Sequence, residues 1–274
     1  MNEADMLCVF EKGFKIRRRI DIGALGGVFS VRNKEKKKVV LKQIDKKASR
    51  FDPDKIEKEI RAGKMLHHEN IVMFFDSFES DNSVFLVLEY IRGHNLYDVL
   101  EKRKFVPLEE TVVKKIMIQI VEALIYCHSL GIVHRDIKVE NIILTRRGVI
   151  KLIDFGFCEI VSKDKPVLLR EFLGSKYYTA PEILASNIYD GFKIDVWSTG
   201  VVMYVLLFSE FPFFIEELVS ETPSKIKWPD LIYPDTFAQI SQSAKNLINQ
   251  MLNFCPSERI SMEKIPDNNW FFTI

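Results

Sequence analysis

The chain has 274 residues, of which 47% are hydrophobic and 28% charged, as in an ordinary globular protein. Its 39 Lys and Arg against 38 Asp and Glu give a formal net charge of +1, so no overall field favours nucleic acid or a membrane surface. We interpret the basic clusters at 17–19 and 36–38 as a strand end and a solvated hairpin turn rather than a targeting signal. The longest apolar run, 201–208, is shorter than the roughly 18 residues that span a bilayer, which favours a buried helix.

The four cysteines have neither metal-ligand spacing nor a CxxC redox pattern. A disulfide framework is untypical of a chain of this size, so we expect a reducing compartment, in the cytoplasm, the nucleus or both. The N-terminus lacks the apolar core of a signal peptide.

The first third of the chain reads mainly as strands. Residues 14–29 and 39–44 flank a charged turn at 33–38, which is typical of a β-hairpin. Asp52 followed by Pro53 predicts the start of a helix, and residues 84–91 predict another strand.

After Gly93 the pattern becomes helical, with an apolar stripe at helical spacing from Val112 to Ile125. Short strand-like segments follow at 142–144 and 149–153, and the remainder is mostly helical with proline breaks. The sequence therefore predicts an α+β fold: a small strand-rich lobe with one helix, then a larger helical lobe. A cleft between two such lobes is a common ligand site.

Two candidate features of the small lobe are weak when taken alone. Gly23 to Val28 form a glycine-rich turn between strands, which suits either an ordinary turn or a phosphate-binding loop. Lys42 lies on an apolar strand and needs a partner if buried, and Glu59 on the following helix is the candidate. A surface lysine at a strand edge is the alternative.

The decisive pattern is His134-Arg135-Asp136-Ile137-Lys138-Val139-Glu140-Asn141, followed by Asp154-Phe155-Gly156. In this pattern charged and polar side chains lie next to apolar segments that would otherwise bury them. Phosphoryl transfer needs such a set: a carboxylate for the incoming hydroxyl, a cation for the γ-phosphate and oxygen ligands for Mg²⁺. A loop of solvated charges is the alternative, and the ordered series of motifs makes it improbable.

With these motifs the sequence resembles the eukaryotic protein kinase family over residues 14–271. Further marks are Ala180-Pro181-Glu182, the Asp195-Val196-Trp197-Ser198-Thr199-Gly200 segment, and Arg259. The resemblance implies a bilobal kinase fold with a smaller lobe at 14–88, a hinge at 89–93 and a larger lobe at 94–271.

The resemblance also implies roles for individual residues. Asp136 would receive or position the substrate hydroxyl, Lys138 would stabilise charge on the transferred group, and Lys42 paired with Glu59 would contact phosphates. Asn141 and Asp154 would ligate Mg²⁺, and Glu182, Asp195 and Arg259 would be structural, with Arg259 paired to Glu182. The nucleotide would contact Ile20, Ile22, Gly23, Gly26, Val28, Val40, Lys42, Glu89, Ile91 and Ile143.

Lys138 and Ser175 match the serine/threonine pattern. The run around Ser175 resembles the calmodulin-dependent, AMP-activated and checkpoint kinase group. We therefore expect an ATP- and Mg²⁺-dependent serine/threonine kinase acting on proteins in signalling or cell-cycle control. We expect a monomer that binds neither nucleic acid nor membrane. Because the motifs fill the chain, regulation would come from partners, abundance or the activation loop.

Several residues depart from the family pattern. Asp21 replaces the first loop glycine, for which we expect a modest rise in KM for ATP. Val40 replaces a smaller alanine and would narrow the adenine pocket. Gly63 stands where a large apolar residue is usual, and we expect the Phe74 ring to fill the gap.

The last departure is Glu171, in place of a threonine that many relatives phosphorylate. Its carboxylate could pair with Arg135, so that the loop needs no phosphorylation; a solvated glutamate is the alternative. Glu140 predicts a weak preference for a basic residue upstream of the target.

Three other readings stay open. A pseudokinase scaffold would keep the fold without the chemistry, and the altered glycine loop, Val40 and Gly63 are its support. A dinucleotide-binding enzyme built around Gly23 needs alternating strands and helices. A small-molecule kinase of related fold is the third, although the Ala180-Pro181-Glu182 segment favours a protein substrate.

Overall fold

The computed structural model describes residues 1–23, 25–161, 168–169, 176–185, 189–213, 231–234 and 240–272. The predicted site residues Ser175 and Glu171 lie outside this part of the chain. The described residues form two compact units, 1–92 and 93–274.

The first unit is built on one five-stranded antiparallel sheet with the strand order β1-β2-β3-β5-β4. Neighbouring strands run in opposite directions from β1 to β3, which excludes the parallel βαβ unit of a dinucleotide-binding fold. The elements are α1 (Glu3–Glu11), β1 (Lys15–Gly23), β2 (Gly26–Arg32), β3 (Lys38–Asp45), α2 (Pro53–Met65), β4 (Phe74–Glu79) and β5 (Ser83–Glu89).

This unit contains one helix more than the sequence predicts. The helix α1 begins after Asn2, whose side chain accepts a hydrogen bond from the Asp5 N–H at 2.8 Å. Asp5 itself is 1% exposed, and its carboxylate accepts hydrogen bonds from Ser80 in the turn between β4 and β5 and from Ser83 and Gln43 of the sheet. A buried carboxylate is tolerated when it is fully hydrogen-bonded, so this cluster fixes α1 on the sheet.

The predicted start of α2 at Asp52 and Pro53 is confirmed, because the Asp52 side chain accepts from the Asp54 N–H at 3.1 Å. Further along α2, Gly63 lies directly against Phe74. A Cβ on Gly63 would stand 2.8 Å from Cγ of that ring. The Phe74 ring therefore fills the gap beside Gly63, as predicted. It belongs to a core with Ile44, Ile56, Val84 and Leu86.

Replacing Phe74 with leucine is expected to lower the free energy of unfolding by about 1–1.5 kcal/mol, because the smaller side chain leaves a gap over Gly63. Phe75 on the same strand is 54% exposed, so Phe75→Leu is a matched control with an expected change within about 0.5 kcal/mol. Denaturant unfolding and enzymatic activity would both be measured. Unchanged stability and activity in Phe74→Leu would show that the ring does not compensate for the glycine.

The second unit is mainly helical and centres on α6, which packs against α4 and α7. By length and composition α6 could cross a membrane, but 83% of it is buried inside the protein. The prediction of a buried helix at 201–208 is confirmed. The elements are β6 (Gly93–Asn95), α3 (Leu96–Lys102), α4 (Glu110–Ser129), β7 (Ile132–Val133), β8 (Ile142–Thr145), β9 (Ile150–Leu152), β10 (Glu159–Ile160), β11 (Leu168–Leu169), α5 (Pro181–Ala185), β12 (Tyr189–Asp190), α6 (Gly191–Phe208) and α7 (Gln242–Met251).

Candidate active site

The loop between β7 and β8 is held by one buried carboxylate from the first turns of α6. The two oxygens of Asp195 accept the backbone N–H groups of His134 and Arg135, each at 2.9 Å. A third contact of 2.9 Å joins Asp195 to Nε2 of His128. Arg135 has a φ of +68°, an uncommon conformation for a residue with a side chain, and these hydrogen bonds help to maintain it.

Asp136 is 4% exposed and sits at the centre of a small polar cluster. Its Oδ2 accepts a hydrogen bond from Lys138 Nζ at 2.7 Å and one from Asn141 Nδ2 at 2.8 Å. The same Asn141 nitrogen also donates to the Asp136 backbone carbonyl at 2.9 Å. Among the described residues both side-chain donors reach Oδ2, so Oδ1 is the carboxylate oxygen that can meet an incoming hydroxyl.

Asp154 is tied to the same loop through the residues beside it. The N–H of Ile153 donates to the Asn141 carbonyl at 2.9 Å, and the carbonyl of Ile153 lies 3.2 Å from Nε2 of His134. The ring of Phe155 lies 4.7 Å from the His134 ring. Asp154 itself has a φ of +63°, so both flanking contacts hold an unusual backbone conformation next to Asn141.

Tyr178 is a member of this site that the sequence did not single out. Its hydroxyl oxygen accepts the backbone N–H of Val139 at 3.5 Å, and its own carbonyl accepts from Ser198 of α6 at 2.9 Å. Burial, followed by the nearby Glu140 charge, raises the pKa of Tyr178 well above its ordinary value. The neutral hydroxyl is thus available to support the turn at 139–141.

In the first unit, the predicted pair between Lys42 and Glu59 forms. Lys42 Nζ lies 2.7 Å from Glu59 Oε1, and the two side chains are 21% and 10% exposed. The strand register places Asp21, Val28 and Lys42 opposite one another, so they share one face of the sheet. Asp21, which replaces the first loop glycine, therefore lies on the lysine's side of the sheet.

The structure gives the positions of the other residues that we expect to contact the nucleotide, but their contacts with it stay predictions. Val40 follows on the Lys42 face, two residues along β3. Glu89 is fixed to Met73 by a backbone hydrogen bond of 2.9 Å and a side-chain hydrogen bond of 3.2 Å. Ile91 and Ile143 are half-buried, whereas Ile20 and Ile22 are exposed in the described structure.

The two loop glycines differ in the space around them. A Cβ on Gly26 would stand 2.2 Å from the Gln43 carbonyl oxygen, whereas on Gly23 its nearest neighbour would be the Gly26 oxygen at 3.5 Å. We expect Gly26→Ala to lower the free energy of unfolding by about 1–3 kcal/mol and Gly23→Ala by less than about 0.5 kcal/mol. Thermal unfolding of the two variants checks this, and equal losses would contradict it.

The predicted pair between Glu182 and Arg259 also forms, as a bidentate ion pair with N–O distances of 2.6 and 2.8 Å. The Arg259 side chain is fully buried, and its guanidinium stands 5.0 Å from the centre of the Trp197 ring. Two backbone carbonyls, of Asn253 and Lys193, accept its remaining hydrogen bonds. This pair fixes the start of α5 to α6 and to the loop after α7.

Comparison with known proteins agrees with this geometry. The family model described as protein kinase domain matches residues 14–271, and the chain belongs to that family. Among its relatives, CBL-interacting serine/threonine-protein kinase 20 of Arabidopsis thaliana is 34% identical over 271 residues, covering 96% of this chain and 59% of the relative. Serine/threonine-protein kinase kin-29 of Caenorhabditis elegans is 35% identical, covering 94% and 30%.

A third relative, serine/threonine-protein kinase cds1 of Schizosaccharomyces pombe, is 34% identical, covering 91% of this chain and 54% of the relative. The chain thus spans about three fifths or less of the length of these three proteins. The predicted serine/threonine type and the calmodulin-dependent, AMP-activated and checkpoint group are confirmed at the level of family.

Proposed function

We propose that the protein transfers the terminal phosphate of ATP to serine and threonine hydroxyls of other proteins. The observation that carries the proposal is the geometry around Asp136, whose Oδ2 is held by Lys138 and Asn141 at 2.7 and 2.8 Å. A carboxylate with one oxygen fixed and the other open can accept a proton from an alcohol. The serine/threonine names of the relatives support the choice of substrate hydroxyl.

In this mechanism each loop residue has one task. Asp136 orients the substrate hydroxyl through Oδ1 and accepts its proton as the new O–P bond forms. The bond between the γ-phosphorus and the bridging oxygen of ATP breaks in the same step, and ADP leaves. Lys138, already 2.7 Å from Asp136, neutralises negative charge on the transferred group. In the first unit, Lys42 contacts the nucleotide phosphates, and Glu59 fixes the direction of its ammonium group.

The residues present fit a magnesium ion. The Asn141 amide nitrogen donates to Asp136, which leaves the amide oxygen as the atom that would ligate a cation together with the Asp154 carboxylate. Within the described ranges there is no cluster of three acidic, His or Cys residues for an all-protein metal cage. Mg²⁺ is typically bound by one or two carboxylates plus substrate phosphates, which matches this sparse set. When bound, it would neutralise phosphate charge.

The pseudokinase alternative gains no support from this geometry: the Phe74 ring fills the space beside Gly63, and Asp21 and Val40 remain as the departures that favour a scaffold. Such scaffolds lack one of the chemical residues, whereas this chain keeps Lys42, Glu59, Asp136 and Lys138 in paired positions. The monomeric state, the cytoplasmic or nuclear location, and the absence of nucleic-acid and membrane binding stay predictions.

The test is incubation of the purified protein with Mg-ATP labelled in the γ-phosphate and a generic basic protein substrate. The wild type is expected to label serine and threonine, and Asp136→Asn to lower kcat by about 10²–10⁴-fold. Asp267→Asn, at an exposed position, is the matched control with an unchanged rate. EDTA should stop the reaction. If wild type and Asp136→Asn label the substrate equally, the proposal is wrong.

A further inference from the structure

A second ion pair reaches the catalytic loop from the strand that follows Asp154. Nη1 of Arg135 lies 3.5 Å from Oε2 of Glu159, and the two side chains are 4% and 19% exposed. Glu159 is the first residue of β10 and pairs in register with Val133 of β7, two residues before Arg135. The backbone pairing therefore aims the carboxylate at the loop.

The ion pair between Arg135 and Glu159 is important for stability because both side chains are charged and largely buried. A guanidinium that is almost completely buried needs an anion nearby, because burial penalises an uncompensated charge. A pair this deep is also screened far less by salt than a surface pair. Glu159 supplies the negative charge from within the chain, at a position fixed by strand pairing.

The pair completes a two-sided attachment of Asp154. Before Asp154, the Ile153 N–H bonds to the carbonyl of Asn141. After it, Glu159 pairs with Arg135, the neighbour of Asp136. The segment that carries Asp154 is thus fastened to the catalytic loop on both sides, which limits how far Asp154 can move from Asn141 and Asp136.

We propose that Glu159 is a positioning residue that serves as a built-in anion for Arg135 and orders the catalytic loop without phosphorylation of the chain. The proposal rests on the proposed kinase function but names a different residue from the predicted Glu171. Glu159 acts through Arg135 and touches no reacting atom. Because a displacement of about 1 Å can cost 10²-fold in rate, loss of the carboxylate acts mainly on kcat.

The kinetic test compares phosphatase-treated wild type, verified as unphosphorylated by mass spectrometry, with Glu159→Gln and Glu159→Asp. The wild type is expected to be active. Glu159→Gln should lower kcat by about 10- to 100-fold while KM for ATP changes less than about twofold. Glu159→Asp, which keeps the charge, should exceed Glu159→Gln by at least about fivefold. Glu101→Gln, at an exposed site on α3, should match the wild type.

A second readout does not depend on activity. Amide hydrogen exchange of residues 132–141 is expected to rise about tenfold or more in Glu159→Gln, and not in Glu101→Gln, because the loop loses its attachment. Wild type that is inactive until phosphorylated, an aspartate variant as impaired as the glutamine variant, or unchanged exchange would each overturn the proposal. If no variant transfers phosphate but exchange rises as expected, the proposed kinase function fails while the loop attachment stands.

Discussion

Replacing Asp195 with asparagine is expected to lower kcat/KM by about 10²-fold or more and the free energy of unfolding by about 3 kcal/mol. The carboxylate accepts two backbone N–H groups, one on each oxygen. An asparagine has one acceptor oxygen, and its NH₂ group would face the second backbone N–H donor. One buried donor is then left unsatisfied, and the loop that carries Asp136 loses one of its two backbone hydrogen bonds to Asp195.

The same helix offers the matched control. Asp190 precedes α6 and accepts the Phe192 N–H at 2.9 Å as its N-cap. Asparagine caps helices about as well as aspartate, so Asp190→Asn should change stability by less than about 0.5 kcal/mol. Denaturant unfolding and steady-state kinetics measure both variants. Should Asp195→Asn behave like Asp190→Asn, Asp195 would not be the anchor of the catalytic loop.

The sequence predicts the chemical residues well because they are constrained by type and spacing. Asp136, Lys138 and Asn141 lie within six consecutive residues, so the local chain brings them together once the loop is anchored. The pairs Lys42–Glu59 and Glu182–Arg259 are long-range. The need of a buried lysine for a partner indicates the first pair, whereas only the family resemblance implies the second. The sequence indicates which residues form these two pairs, whereas the N–O distances and the exposure of the side chains are known only from the structure.

Several contacts that are specific to this chain could not be predicted from the sequence. Asp5 reads as an ordinary acidic residue in a first helical turn, and its burial depends on Ser80 and Ser83, more than 70 residues away. Glu159 resembles a surface glutamate until strand pairing places it beside Arg135. The need for glycine at position 26 arises from the Gln43 carbonyl, which no local pattern indicates. In each case the decisive partner is distant in sequence.

Removing one member of the buried pair between Glu182 and Arg259 is expected to cost about 3–5 kcal/mol of unfolding free energy. In Glu182→Gln the guanidinium loses its carboxylate and stays buried against two backbone carbonyls and the Trp197 ring. In Arg259→Met the carboxylate, whose side chain is 11% exposed, loses its cation. Glu258→Gln, at an exposed neighbouring residue, is the control and should be nearly neutral.

The double variant separates the energy of the ion pair from the energy of the contacts that each residue makes with its surroundings. If the charges stabilise each other, Glu182→Gln with Arg259→Met should cost less than the sum of the single changes, by at least about 2 kcal/mol, because no unpaired buried charge remains. It will not recover fully, since the carbonyls of Asn253 and Lys193 lose the hydrogen bonds that the arginine donates to them. Additive losses in denaturant unfolding would contradict this. The arginine would then stabilise the fold through its backbone and aromatic contacts alone, with Glu182 adding little.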